Sequence, residues 1–296
     1  MKSLLAMASL TALLPSLACA QQDADPSKLA SVPAQSKSSP YMSEWLTQHI
    51  NVIGSHDIRF GPQPVDDVYL EYEFMGRKGP WDLYGYIDMP RFVGIGNGAD
   101  KGAWNDGSPL FWELEPRLSI NHLTGKDLSI GPFKEFYIAA DDIFDLGHNR
   151  DGHQHTLYIG LGTDIDTHSR VNLSFNFYGR RQFENYRASN ENSWDGYRAQ
   201  VKYIVPLTQV ANADLTWVGF TNYDFGSNLD KDNPGVRTST AWVSTNVLSL
   251  SWTHWAVSVV GRYFHNASNF RSGADLGSFN AKTTGWGEYF IVTYSF

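Results

Sequence analysis

Apolar and polar residues alternate along the chain from residue 41 to residue 296. In the segment DVYLEYEF, every second residue is apolar, and Glu71 and Glu73 lie between them. The segments WDLYGYIDM and FWELEPRLSI repeat this pattern. Alternation with a period of two places successive side chains on opposite faces of a β-strand. The pattern predicts an all-β protein with strands from end to end.

A soluble β-sandwich also shows this alternation, so a second observation is needed. The last segment places Phe290, Val292, Tyr294 and Phe296 on one face, and the sequence stops at that aromatic residue. Bacterial outer-membrane barrels characteristically finish with a strand that ends in Phe. Counting the alternating segments gives about 12, and an even number is typical of a single-chain barrel. We therefore predict a transmembrane antiparallel β-barrel with an apolar outer face and a polar lumen.

Proline at position 116 falls inside one of these segments. Because proline has no backbone N–H to donate to a strand ladder, Pro116 is expected to mark a bulge or the end of a strand.

The first 40 residues do not show the alternation. Residues 1–20 have the order of a secretory signal peptide, with a basic start, an apolar run and Ala18-Cys19-Ala20 before the expected cleavage point. Cys19 would alternatively be a lipoprotein cysteine, but Ser16 stands where such signals usually carry an aliphatic residue. Residues 21–40 are polar and proline-rich, which indicates a flexible periplasmic leader. The barrel is expected over residues 41–296.

Composition excludes several classes of protein. Charged residues make up 18% of the chain, and no stretch approaches the roughly 20 apolar residues that a spanning helix needs. The 31 acidic residues outnumber the 23 basic residues, so the charge is unsuited to a nucleic-acid partner. The single Cys falls in the predicted signal peptide, which removes disulfides, thiolate metal sites and a Cys nucleophile from the mature chain.

Titratable and aromatic residues occupy the face that we assign to the lumen. The carboxylates are Glu71, Glu73, Asp82, Asp88, Glu113 and Glu115, the tyrosines are Tyr69, Tyr84 and Tyr86, and the bases are Arg117, Arg180, Arg198 and Lys202. One interpretation is structural, with opposite charges bridging a narrow interior. The other is a wall that offers hydrogen bonds and ring faces to a neutral polar solute. The residue pattern leaves both open.

Other motifs do not favour a cofactor, a metal or catalysis. The run Gly94-Ile95-Gly96-Asn97-Gly98 lacks the helix that would hold a phosphate. His153 and His155 would share a strand face, but two imidazoles are too few for a closed metal site. No Gly-x-Ser-x-Gly turn is present, so we expect no enzyme activity, no cofactor and no metal.

Eight sequence motifs carry a resemblance to a known family. They are RFGPQ (59–63), YLEYE (69–73), GSPLFWELEPRLSI (107–120), GPFKEFY (131–137), GLGTDIDT (160–167), NENSWDGYR (190–198), GFTNYDFGS (219–227) and TGWGEY (284–289). On these motifs the chain resembles the nucleoside-specific channel-forming outer-membrane proteins of Gram-negative bacteria, the Tsx-like channels. The resemblance covers essentially all of residues 41–296, in order.

The resemblance implies a monomeric barrel that lets nucleosides and deoxynucleosides diffuse across the outer membrane and discriminates against nucleotides. It implies that Phe60 stacks on the base near the mouth, that bulk at Gly61 would block the path, and that Arg59 belongs to the same motif. The resulting candidate substrate-binding residues are Arg59, Phe60, Gly61, Tyr69, Glu71, Tyr84, Tyr86, Glu113, Glu115, Arg117, Arg198 and Lys202. A role of the external loops as a receptor for phage and colicin transfers only loosely.

One expectation conflicts with the simple pattern. Alternation in the first strand places Phe60 on the same face as Val52 and Ile58, which would be the outer face. Either a bulge near Asp57 reverses the alternation, or the strand ends first and Phe60 folds back over the mouth.

Three other functions remain open at this stage. The first is a channel for another neutral solute such as a sugar, the second is a surface receptor or adhesin, and the third is an outer-membrane hydrolase.

Overall fold

The computed structural model describes residues 45–90, 92–97, 110–147 and 150–296. The predicted signal peptide and leader lie outside the described residues. No helix in the described part of the chain is long and apolar enough to cross a membrane.

Thirteen strand segments form one antiparallel sheet. They are β1 (Trp45–Ile58), β2 (Val65–Lys78), β3 (Trp81–Met89), β4 (Phe111–Leu114), β5 (Arg117–Ser119), β6 (Phe133–Asp145), β7 (Gln154–Ile165), β8 (Asn172–Asn185), β9 (Ser193–Val210), β10 (Ala213–Phe225), β11 (Ala241–Ser251), β12 (Trp255–His265) and β13 (Gly285–Ser295). The helical segments are short: α1 (Ile120–Thr124), α2 (Leu229–Asp232) and the 3₁₀ turns η1 (Arg150–Gly152) and η2 (Ala267–Asn269).

The sheet closes on itself. Apart from β4 and β5, each strand pairs with its neighbours in sequence, and β1 also pairs with β13, where Val52 lies opposite Val292. The segments β4 and β5 occupy one position in the wall, because both pair with β3 on one side and with β6 on the other. The fold is therefore a closed 12-strand antiparallel barrel, which confirms the predicted class.

Pro116 lies in the gap between β4 and β5, so the predicted interruption is present. The ladder continues around it, because the Glu115 N–H donates to the Tyr84 carbonyl at 2.8 Å and the Ala140 N–H donates to the Pro116 carbonyl at 3.0 Å. The strand ladder therefore lacks only the hydrogen bond that the backbone nitrogen of Pro116 cannot donate.

The two ends of the barrel differ in their connections. At one end, the turn between β9 and β10 consists of Ala211 and Asn212, both with positive φ (48° and 61°), as a two-residue hairpin requires. At the other end, the connections 226–240 and 266–284 are long. Outer-membrane barrels have short periplasmic turns and longer extracellular loops, so the long connections mark the extracellular mouth.

Apolar side chains cover the outer face as the alternation predicts. Exposed examples from different strands are Val52, Ile138, Leu161, Phe177, Val259 and Phe290. The buried residues are largely polar, and they include His49, Asn51, Asp141, Asn176 and Gln200. This distribution is the reverse of that in a soluble protein, and it is required when lipid surrounds the barrel and water fills its lumen.

Candidate functional site: the lumen

A continuous lumen of about 1700 Å³ runs through the barrel. Its lining includes Phe60 and Arg237 at the extracellular end and Thr208 and Asp214 beside the β9–β10 turn, so this space extends from one end of the barrel to the other. Of the twelve candidate residues, eleven line it, and Arg59 does not.

The chain reverses its facing at the extracellular end of β1. The register with β2 shifts between Ser55 and Ile58, and Asp57 adopts a left-handed conformation with φ of 56°. Ile58 consequently faces the interior and is only 2% exposed. The strand ends at Ile58, and Phe60 then lines the mouth of the lumen. The outward placement of Ile58 and Phe60 expected from simple alternation is therefore wrong, because a bulge and a strand end both intervene.

Arg262 lies among four aromatic rings at this level, of which Phe60, Phe220 and Tyr289 line the lumen and Phe264 is fully buried in the wall. Its guanidinium carbon is 5.3 Å from the ring centroids of Phe60 and Phe220, 5.9 Å from Phe264 and 5.5 Å from Tyr289. Hydrogen bonds fix its orientation, because Nε donates to Thr245 Oγ1 at 2.6 Å and Nη1 donates to the Tyr289 hydroxyl at 2.9 Å. We name Phe60, Phe220, Arg262, Phe264 and Tyr289 the aromatic station.

Sequence reasoning missed Arg262, Phe220, Phe264 and Tyr289. The alternation of AVSVVGRYF would have placed Arg262 on the lumen face with Ser258 and Val260, and that was the available signal. The convergence of these rings was not readable, because they come from β10, β12 and β13 and from the connection after β1. Among the described residues, no carboxylate pairs with Arg262 within the 4.0 Å of an ion pair.

Carboxylates and tyrosines from β2, β3 and β4 form an acidic wall, defined by Glu71, Glu73, Tyr84, Tyr86 and Glu113. Tyr84 donates its hydroxyl proton to Glu73 at 3.0 Å, and Tyr86 donates to Glu113. Glu71 accepts from the side-chain amide of Asn51 at 2.6 Å. None of these three carboxylates forms an ion pair with Lys or Arg among the described residues, so oxygen lone pairs remain for a solute.

Small and apolar residues from β10 to β13 line much of the remaining wall. They include Val218, Val243, Val247, Val260 and Ile291. These two stretches of the wall differ in chemistry, because the acidic wall carries hydrogen-bond acceptors and the stretch from β10 to β13 carries apolar and aromatic groups.

The remaining charged candidates are paired with one another. Lys202 donates to Glu115, and Arg117 donates to Asp82 and, at 2.9 Å, to Asp164. Arg198 donates to Asp141 at 2.7 Å and to Asp224 at 2.7 Å. These contacts match the structural interpretation of the lumen charges.

Arg59 lies behind Phe60 in the wall. It donates to the backbone carbonyl of Asp57 at 2.6 Å and to that of Trp286. Its contacts therefore tie the end of β1 to the start of β13. Tyr69 is buried in the wall beside Ile53 and Val260. Gly61 follows Phe60 at the mouth and lines the lumen.

Arg237 extends the set of cations at the mouth. It lies in the connection 226–240, with its guanidinium carbon 3.9 Å from the ring centroid of Phe270, and it donates to the Ser268 carbonyl at 3.2 Å. Burial lowers the pKa of Arg237 to about 10, so the side chain remains charged at neutral pH.

The histidine pair considered from the sequence does not converge on one site. His155 Nε2 lies 2.9 Å from Asp142 Oδ1 on the outer face, whereas His153 Nδ1 lies 3.6 Å from Glu184 Oε2. His56, Asp57 and Asp66 form another cluster at the outer rim, where His56 Nδ1 is already 2.8 Å from Asp66 Oδ1.

An apolar exterior, a polar bore open to solutes and long loops at one end together define a channel-forming barrel of the bacterial outer membrane. A family model described as "Nucleoside-specific channel-forming protein, Tsx" matches residues 42–296. The chain belongs to this family.

The chain is also similar to several individual proteins. The chain is 52% identical over 267 residues to the nucleoside-specific channel-forming protein Tsx of Salmonella typhimurium, covering 89% of this chain and 92% of that protein. It is 29% identical over 308 residues to the outer membrane protein OmpK of Vibrio parahaemolyticus, covering 100% of this chain and 99% of that protein. Among solved structures, a NanC porin is similar with a TM-score of 0.47 and 10% identity, covering 83% of this chain and 98% of that one. The chain is an outer-membrane protein.

Proposed function

We propose that the lumen conducts nucleosides and deoxynucleosides down their gradient through weak binding sites in series. The observation that carries this proposal is the pairing of the aromatic station with the acidic wall. A nucleoside has one flat heterocycle and one hydroxylated sugar, and the two sides of the lumen offer a partner to each. Arg262 lines the same lumen as Glu71, Asp88 and Glu113, so one solute in the bore meets both the station and the wall.

Weak binding is sufficient for this task. A millimolar dissociation constant corresponds to about −4.1 kcal/mol. One stacked base contributes roughly 1–3 kcal/mol, and each hydrogen bond adds about 0.5–1.5 kcal/mol net. Stacking at Phe60 or Arg262 with two hydrogen bonds to Glu73 or Glu113 therefore reaches the required range. Tighter binding would slow release, which conduction cannot tolerate.

The acidic wall also accounts for discrimination against nucleotides. A phosphate that passes Glu73 and Glu113 meets two carboxylates that form no ion pair with Lys or Arg among the described residues. Two like charges 4 Å apart repel by about 1 kcal/mol in water and by several kcal/mol in a less polar bore. A neutral nucleoside does not meet this barrier.

Solute competition in planar bilayers tests the proposal. We expect thymidine and adenosine to block the single-channel current at millimolar concentration, whereas maltose at equal concentration leaves it unchanged. Equal block by maltose would favour the alternative of a channel for other neutral solutes.

Three further features belong to the proposal. The barrel acts as a monomer, since each chain encloses a complete lumen, and cross-linking in native membranes would test this.

Residues 1–20 are removed on export, so N-terminal sequencing is expected to begin at Gln21. The extracellular connections serve as an attachment surface for phage or colicin, which exchange of residues 226–240 with the corresponding loop of a relative would test.

A further inference from the structure

A row of aromatic side chains crosses four strands on the outside of the barrel. The rings of Trp112 and Phe144 stack at 4.4 Å with an interplanar angle of 9°. Phe144 lies 5.1 Å from His155, and His155 stacks on Phe183 at 4.7 Å and 23°. We name Trp112, Phe144, His155 and Phe183 the outer ladder. None of the four lines the lumen.

Arg181 continues the outer ladder. Its guanidinium carbon lies 5.0 Å from the ring centroid of Phe183. Its chain neighbours Arg180 and Gln182 line the lumen and Arg181 does not, so alternation directs Arg181 to the lipid. Among the described residues, Arg181 has no carboxylate partner within 4.0 Å, although Arg180 pairs with Asp195 at 3.0 Å.

The outer ladder lies at the extracellular boundary of the membrane. Trp112 and His155 are the second residues of β4 and β7, and both of these strands begin at the mouth. Arg181 lies opposite Trp194, the second residue of β9. A lipid-facing Arg is costly at the middle of the bilayer and cheap near its surface, where an anionic head can neutralise it.

The surroundings of Arg181 match a lipid that has a phosphorylated sugar headgroup and acyl chains. Trp194 is 61% exposed, so its ring face is open to a sugar at the boundary. Toward the membrane centre, Ile159, Leu161 and Phe177 are exposed and apolar. A guanidinium binds phosphate through a planar fork of N–H donors, which favours a phosphate over a carboxylate or a neutral head.

We propose that Arg181, Trp194 and the outer ladder bind a phosphorylated glycolipid of the outer leaflet, with its phosphate on Arg181. This site lies on the opposite side of the wall from the lumen, so it does not depend on the proposed solute.

Binding of lipid A to the full mature protein in non-ionic detergent tests the site. Native mass spectrometry would compare lipid A with chemically dephosphorylated lipid A and with phosphatidylglycerol. We expect lipid A to bind the wild-type protein about tenfold more tightly than either of the others. Arg181→Gln should remove this preference, and Arg181→Lys, which keeps the charge but not the planar fork, should retain only part of it.

Arg187→Gln is the matched control, because Arg187 is an exposed Arg at the same end of the barrel that pairs with Asp151 at 2.7 Å. It should bind lipid A as the wild type does. Equal affinity of the wild-type protein for lipid A and for dephosphorylated lipid A, or for lipid A and for phosphatidylglycerol, would overturn the proposal. An equal loss of lipid A affinity in Arg181→Gln and in Arg187→Gln would overturn it as well. If Arg181→Gln fails to fold, as judged by heat-modifiable migration on gels, the comparison of lipids on the wild type and on Arg181→Lys still decides. Thymidine block should be the same in all folded variants.

Discussion

The guanidinium of Arg262 lies 5.3 Å from the ring centroid of Phe60, although one residue is on β12 and the other follows the first strand. The contact exists because β1, β13 and β12 are consecutive in the closed wall. Closure of the barrel thus builds the aromatic station from the two ends of the sequence.

Replacement of Arg262 by Gln should weaken nucleoside binding. A desolvated cation–π contact contributes about 0.5–2 kcal/mol, so the concentration of thymidine that half-blocks the current should rise roughly two- to thirtyfold. Noise analysis in planar bilayers would measure it. Arg271→Gln, which alters an exposed Arg in the connection 266–284, is the control. Equal block in the wild type and Arg262→Gln would contradict a role of Arg262 in binding.

Replacement of Phe60 by Ala should lower nucleoside flux at low concentration. Loss of one stacked base costs roughly 1–3 kcal/mol, so uptake of adenosine below saturation is expected to fall about five- to 150-fold. Uptake into liposomes would measure the effect. Phe177→Ala is matched in size and in exposure, 43% against 39%, but lies on the lipid face. If both variants lose uptake to the same degree, the loss reflects the barrel and not the mouth.

Neutralising the acidic wall should admit anions. In the double variant Glu73→Gln and Glu113→Gln, each lost charge removes about 1 kcal/mol of repulsion at 4 Å in water. Permeation of thymidine monophosphate relative to thymidine should therefore rise at least tenfold, as measured by reversal potentials and liposome swelling. Glu288→Gln removes a carboxylate from the outer face and should change nothing. A ratio that stays at the wild-type value would show that another feature excludes nucleotides.

Replacement of Arg198 by Ala should destabilise the barrel more than it alters solute block. Arg198 is buried between Asp141 and Asp224, and removing one member of a buried ion pair costs about 3–5 kcal/mol. Urea unfolding in lipid vesicles should show this loss of free energy. Arg187→Ala breaks an exposed pair and should cost at most about 1 kcal/mol. Unchanged stability with weakened thymidine block would instead place Arg198 in contact with the solute.

Much of the fold could be predicted because every residue of a strand faces either lipid, which requires an apolar side chain, or the watered lumen, which accepts a polar one. This requirement produces the alternation in DVYLEYEF, and it places Glu71 and Glu73 inside. The alternation failed where a local irregularity changes the count. At Asp57 one left-handed residue reverses the facing of Ile58, and the sequence could only offer this bulge as one of two alternatives.

The candidate site could be predicted only in part. The residue types of the acidic wall were readable because its members are near one another in sequence. Which charges pair could not be read, because Lys202 reaches Glu115 and Arg198 reaches Asp141 from strands that are several positions apart in the wall. The aromatic station depends on contacts between distant strands in the same way.

The pairing of Val52 with Val292 has a consequence for assembly. Until the first and last strands meet, each presents a row of unsatisfied peptide groups to hydrocarbon, which costs several kcal/mol per group. Insertion should therefore be cooperative, with the joining of this seam as its final step. Substitutions that weaken the seam would be seen first as slow maturation of newly made chains and not as altered conductance of finished ones.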